Sequence, residues 1–135
     1  MPIHLLDTDI CSYAIKRKQP ALLSKIRAGL VSEEIAISAI TRGELLYGLE
    51  LVPDATTLKI AVLAFLDYMP CLEWPVAAAE HYAKLRSAQK ITGNLVGYMD
   101  TLIACHALAE NLILVTNNER DFARIPGLSI ENWAA

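Results

Sequence analysis

The segment from Ile3 to Asp9 constrains the fold most, because an apolar run, Ile3-His4-Leu5-Leu6, breaks off abruptly at Asp7-Thr8-Asp9. A short run without polar alternation suits a strand covered on both faces. Open α/β sheets gather their ligands at the carboxyl ends of such strands, so Asp7 is expected at the sheet rim. Capping of the next helix accounts equally well for Asp7 or Asp9 taken singly, since aspartate caps helices well. Similar polar stops recur downstream, and a cluster of them needs a further reason.

Taken in order, Ile10 to Ile15 has a helical pattern running into Lys16-Arg17-Lys18, where cations suit a helix C-terminus and phosphate contact is the weaker alternative. Pro20 to Gly29 reads as a second helix, opened by proline and stopped by glycine. Ile35 to Ser38 reads as a short strand. Ile40, Glu44, Tyr47, Gly48 and Leu51 then share a helical neighbourhood, which turns Glu44 inward among apolar residues. A carboxylate so placed needs a cation or donors, an arginine partner being the structural alternative. Gly48 costs helix stability and suggests close packing against it.

A further helix is expected from Pro53 to Tyr68, with Leu58, Val62, Phe65 and Leu66 as its apolar stripe. Cys71 to Trp74 is a strand candidate, and Val76 to Lys90 a helix carrying Lys84, Arg86 and Lys90, which read as a solvated face before an RNA track but are, with Lys16 to Lys18, the best electrostatic candidates. Asp100 falls in the first turn of a helix reaching Glu110, where the dipole is expected to lower its pKa. His81 and His106 read as packed residues. Asn111 to Asn118 repeats the opening design, an apolar strand ending in polar residues, followed by Asp121-Phe122 and a last strand over Leu128 to Ile130. Strand, helices, strand, helix and strand make an α/β sandwich with a mostly parallel sheet.

The 135 residues, 54% of them hydrophobic, fit one domain spanning 1–135 with a substantial core. That hydrophobicity also points to a partner-covered surface, hence an oligomer. The longest apolar run, Ile60 to Leu66, is too short to cross a bilayer. No secretory signal is evident, and Cys11, Cys71 and Cys105 read as reduced, buried thiols of a cytoplasmic protein. A net charge of −3 argues against a wholesale basic nucleic-acid surface and leaves room for a local basic patch.

Asp7, Glu44, Asp100, Asn118 and Asp121 are far apart in sequence, yet four of them can meet at one rim. Carboxylates and an amide, without clustered His or paired Cys, suit hard cations such as Mg²⁺ or Mn²⁺. Crowded carboxylates repel unless a divalent cation holds them, and carboxylate-held Mg²⁺ commonly acts on phosphodiesters.

The ordered motifs, Leu-Leu-Asp7-Thr8, Ser38 leading to Glu44-Leu-Leu-Tyr47-Gly48, Asp100-Thr-Leu-Ile-Ala104, and Leu-Val115-Thr116-Asn-Asn118 with Asp121-Phe122 and Gly127-Leu128, resemble the PIN-domain ribonucleases. The likeness runs nearly the whole chain and is strongest to VapC-type toxins of bacterial toxin-antitoxin pairs. It implies a PIN-like α/β/α sandwich and Asp7, Glu44 and Asp100 as metal-binding acids. Asn118 and Asp121 fall at the family's variable fourth position, and Thr8 and Thr116 become supporting hydroxyls. It further implies Mg²⁺ or Mn²⁺ dependence, cleavage of structured RNA such as tRNA, a homodimer, and inhibition by a VapB-type antitoxin. Asp9, where many relatives have Asn, and the neutral Asn118 depart from the pattern. Two rivals are a catalytically silent RNA-binding or protein-interaction module and a haloacid-dehalogenase-like phosphatase using Asp7 and Asp9. The phosphatase lacks room after Thr116 for its later lysine and acids.

Overall fold

The computed structural model describes residues 1–134. Strands β1 (His4–Leu6), β2 (Ile35–Ser38), β3 (Cys71–Leu72), β4 (Ile113–Val115) and β5 (Ile130–Glu131) form one sheet in the order β3-β2-β1-β4-β5, and all its pairings are parallel. Helices α1 (Thr8–Lys16), α2 (Pro20–Val31), α3 (Ala39–Glu50), α4 (Thr56–Tyr68), α5 (Ala78–Thr92), α6 (Tyr98–Glu110) and α7 (Glu119–Phe122) connect and cover the strands. The expected α/β/α sandwich is present. Among the described residues no helix is long and apolar enough to cross a membrane.

Register explains how one continuous apolar run serves both layers. Leu5 lies beside Ala36 and Leu114, and Leu6 beside Ile37 and Val115. Because successive side chains of a strand point to opposite faces, these rows face different layers. Leu6, Ile37 and Val115 pack with Ile10, Leu22, Leu45 and Phe65 of α1 to α4. Leu5 and Leu114 pack with Ile103 and Ala107 of α6 and Phe122 of α7.

The chain builds outward from β1 through β2 to β3, then returns to lay β4 and β5 on the other side of β1. The connections therefore diverge between β1 and β4, and their carboxyl ends border the crevice where open parallel sheets take ligands.

Several boundaries differ from the sequence reading. Helix α2 runs past Gly29 to Val31, and Gly29 is buried inside it. Its role is close packing: a Cβ there would lie 2.5 Å from Ile35 Cγ2. Gly48 has nothing within 4 Å of the corresponding position, so no close neighbour explains it. Helices α4 and α5 begin at Thr56 and Ala78, after their prolines rather than on them, β3 stops at Leu72, and the last strand lies at Ile130–Glu131. Val62, Phe65 and Leu66 are buried as expected, whereas Leu58 is exposed. Cys11 and Cys105 are buried thiols, but Cys71 is exposed.

The two glycines predict opposite outcomes. Gly29→Ala forces an overlap with the buried Ile35 and is expected to cost about 1–3 kcal/mol. Gly48→Ala, in open space on a helix, is expected to stabilise by roughly 0.5–1 kcal/mol. Urea denaturation midpoints of both variants check this.

Candidate active site

Asp7 follows β1 directly and is 2% exposed. It is the N-cap of α1, its Oδ1 accepting from the Ile10 backbone N–H at 2.9 Å. Its Oδ2 accepts from Thr116 Oγ1, just past β4, at 2.5 Å. The cap and the rim carboxylate are thus one residue, with one oxygen serving the helix and the other bridging the divergence of the chain. Asp9 does not cap; it lies exposed in the first turn of α1.

Burial pushes the Asp7 carboxyl up to about 7, and the charges of Asp9 and Asp100 add to the rise against the lowering by Thr116 and Ile10. Asp100 sits in the first turn of α6, as expected from the sequence. Its pKa is nonetheless raised, to about 6, by burial first and then by Asp9, Glu44 and Asp121. The expectation that a helix N-terminus would lower it is overturned, because partial desolvation and three like charges outweigh the dipole.

Glu44 is only half-buried on α3. It meets a hydroxyl rather than an arginine: Thr8 Oγ1 donates to Glu44 Oε1 at 2.6 Å. The fully buried Thr41 places its Oγ1 3.2 Å from the same Thr8 hydroxyl. Thr8 has one proton, and the short contact commits it to the carboxylate, leaving Thr41 to donate to Thr8. Thr41 escaped the sequence reading, since a lone threonine on an amphipathic helix carries no signal.

Asn118 is the N-cap of α7 and Asp121 lies within it, and Asn118 Nδ2 donates to Asp121 Oδ2 at 3.1 Å. The Asn118 backbone N–H donates to Thr116 Oγ1 at 2.9 Å, which ties the start of α7 to the hydroxyl holding Asp7. Asp7, Asp9, Glu44, Asp100 and Asp121 are therefore linked by mutual electrostatic influence. Among the described residues the ion pairs are His4–Glu131 and His106–Glu110, neither involving these acids. No three His, Cys, Asp or Glu side chains among the described residues converge into a ready-made ligand set.

Ser38, His106 and Glu110 look superficially like a hydrolytic triad. Ser38 Oγ lies 2.9 Å from His106 Nδ1, and His106 Nε2 lies 3.4 Å from Glu110 Oε2. Both Ser38 and His106 are fully buried, so no substrate reaches them. Ser38 also caps α3 through the Ile40 N–H, and its hydroxyl ties that helix to α6. Burial lowers the His106 pKa against the opposing pull of Glu110, which agrees with its reading as a packed residue.

Comparison with known proteins returns a consistent relationship. Residues 4–128 match the family model of the PIN domain. The chain is 37% identical to the tRNA(fMet)-specific endonuclease VapC of Shigella flexneri, over 96% of this chain and 97% of the relative. It is 36% identical to ribonuclease VapC2 of Rickettsia felis, over 97% and 98% of the two chains. Among solved structures, DNA-bound VapBC from Salmonella typhimurium superposes with a TM-score of 0.90 at 34% identity, over 99% of this chain and 100% of that one. VapBC2 from Rickettsia felis bound to a promoter DNA fragment gives 0.87 at 34% identity, covering 96% and 98%.

The raised carboxyls fix the sign of a pH dependence. Below the unfolded carboxyl pKa of about 4 neither state ionises; above it the folded state holds protons the unfolded state has lost. The metal-free protein is expected to lose stability as pH rises from about 4 to the folded values of about 6 for Asp100 and about 7 for Asp7. Melting temperatures in chelator from pH 5 to 8 should fall, and Asp7→Asn, which keeps a capping side chain, should flatten the upper part of that fall.

Proposed function

From the premise that the chain belongs to the PIN-domain family and groups there with the VapC ribonucleases, we propose that it is a divalent-metal-dependent endoribonuclease toxin of a toxin-antitoxin pair. The observation that carries the reading is the electrostatic coupling of Asp7, Asp9, Glu44, Asp100 and Asp121, none of which has a cationic partner among the described residues. All-oxygen donors and excess negative charge fit a hard cation such as Mg²⁺ or Mn²⁺. Asp7, Glu44 and Asp100 would hold it, with Asn118 and Asp121 beside it. When bound, such a cation polarises a phosphodiester and acidifies water in its field.

The chain's own residues supply orientation and proton transfer. Thr116 fixes one Asp7 oxygen, and Thr8 fixes one Glu44 oxygen. As attacking water would form its bond to phosphorus, its proton would pass to Asp100 or Glu44, while the bond to the leaving ester oxygen breaks and that oxygen takes a proton from solvent.

RNA, and tRNA in particular, is the proposed substrate, because the Shigella flexneri relative is named as a tRNA(fMet)-specific endonuclease. A VapB-type antitoxin is the proposed partner, on the strength of the VapBC complexes among the structural relatives. An arginine offered by that partner would be favoured in so acidic a rim. Tyr47, Leu51, Val52, Ile60 and Leu63 along α3, α4 and their connection remain exposed, which supplies apolar surface for a protein partner or a homodimer. The whole chain is proposed to act as one domain.

Incubating the protein with total tRNA should yield discrete fragments with Mg²⁺ or Mn²⁺ and none with chelator. Asp7→Asn should lower the cleavage rate by roughly 10²-fold or more. Mg²⁺ should also raise the melting temperature of the unmodified protein at pH 8 and leave that of Asp7→Asn nearly unchanged. Metal-independent cutting, or cutting by Asp7→Asn at the unmodified rate, would refute the assignment.

A further inference from the structure

Two residues before Asp100, at the start of α6, Tyr98 is 63% exposed. The Arg86 guanidinium of α5 lies 3.9 Å from the centroid of its ring. Arg86 is itself held, donating to Gln89 Oε1 at 2.9 Å and to the Val96 carbonyl at 3.0 Å. Gln89 is buried and donates to Thr101 Oγ1 at 3.4 Å, while Val96 is buried in the connection between the two helices. The cation behind the ring is thus fixed from both helices. Since the guanidinium occupies one face of Tyr98 while the residue stays largely exposed, the other face is open.

Among the described residues no carboxylate pairs with Arg86. Lys90 stands four residues further along α5, on the same side as Arg86, and is exposed. An aromatic face backed by an uncompensated arginine, with a free lysine alongside, suits a polyanion that carries flat rings. An apolar protein partner would cover the ring but leave those charges without a counter-charge. Tyr98 and Asp100 share the first turn of α6 but, two residues apart, point to different sides of it, so a strand stacked on the ring passes over the start of α6 to reach the acidic rim. In the sequence these three cations read as a solvated face; Arg86 is instead the clamp behind the ring.

We propose that Tyr98, backed by Arg86, is a stacking platform for an unpaired base of the RNA substrate, and that Lys90 receives the adjoining phosphate. The inference rests on the ribonuclease reading and names how that site selects unpaired RNA. Stacking is tolerant of base identity but requires a base free of its helix, so the platform favours loops over duplex.

The test uses a fluorescein-labelled stem-loop RNA and a fully paired duplex, titrated in chelator by fluorescence anisotropy, with single-turnover cleavage of the stem-loop in Mg²⁺. Tyr98→Leu and Tyr98→Ala are expected to weaken stem-loop binding by about tenfold while duplex binding stays unchanged. Tyr98→Phe and Tyr98→Trp should bind within about twofold of the unmodified protein, since they keep a π face. At subsaturating RNA the Tyr98→Leu cleavage rate should fall in step with the lost affinity, and Tyr98→Phe should cleave near the unmodified rate. If the unmodified protein cuts RNA and Tyr98→Leu binds the stem-loop as tightly as it does, the platform is refuted and the ribonuclease reading stands. A change of oligomeric mass in Tyr98→Leu with RNA affinity intact likewise refutes it in favour of a protein interface. An unmodified protein that neither binds nor cuts RNA overturns both.

Discussion

The structure depends on a buried carboxylate held across the divergence of a parallel sheet. Asp7 ends the central strand, and Thr116 ends the strand laid beside it after the chain has crossed back. An aspartate with 2% exposure is costly to keep charged, and its two donors, the Ile10 N–H and the Thr116 hydroxyl, offset only part of that cost. The remainder appears as a raised pKa and as a demand for positive charge from outside the chain. Sheet order, helix cap and electrostatic deficit therefore converge on one side chain.

Charge is divided between the layers accordingly. The rim gathers acids from α1, α3, α6 and α7, with hydroxyls rather than arginines as their partners. Hydroxyl partners orient a carboxylate without neutralising it, which leaves it available to a cation. Arg86 of α5 is committed elsewhere, clamped between α5 and the connection that precedes Asp100.

Sequence alone was most informative where periodicity and abrupt stops coincide. The runs ending at Asp7 and Thr116 gave the sheet, and the helix around Glu44 followed from its spacing. Electrostatics was less legible: Asp100 lies in the helical first turn anticipated for it, but its pKa moves the other way, because desolvation and like charges come from segments distant in sequence. Glycine was ambiguous for a related reason. Gly29 reads as a helix stop and proves to be a contact with Ile35, since spacing shows that a side chain is missing without showing what stands in its place. Thr41 was invisible as a site component, because its importance lies in the hydroxyl it holds.

The bond between Asp7 and Thr116 joins residues 109 apart in sequence. A contact of such span is slow to form and late to appear during synthesis. A nascent chain that stops short of Thr116 has Asp7, Glu44 and Asp100 but neither the hydroxyl that fixes Asp7 nor Asp121. The rim is therefore completed only after β4 and α7, the last parts of the site in chain order, have been made.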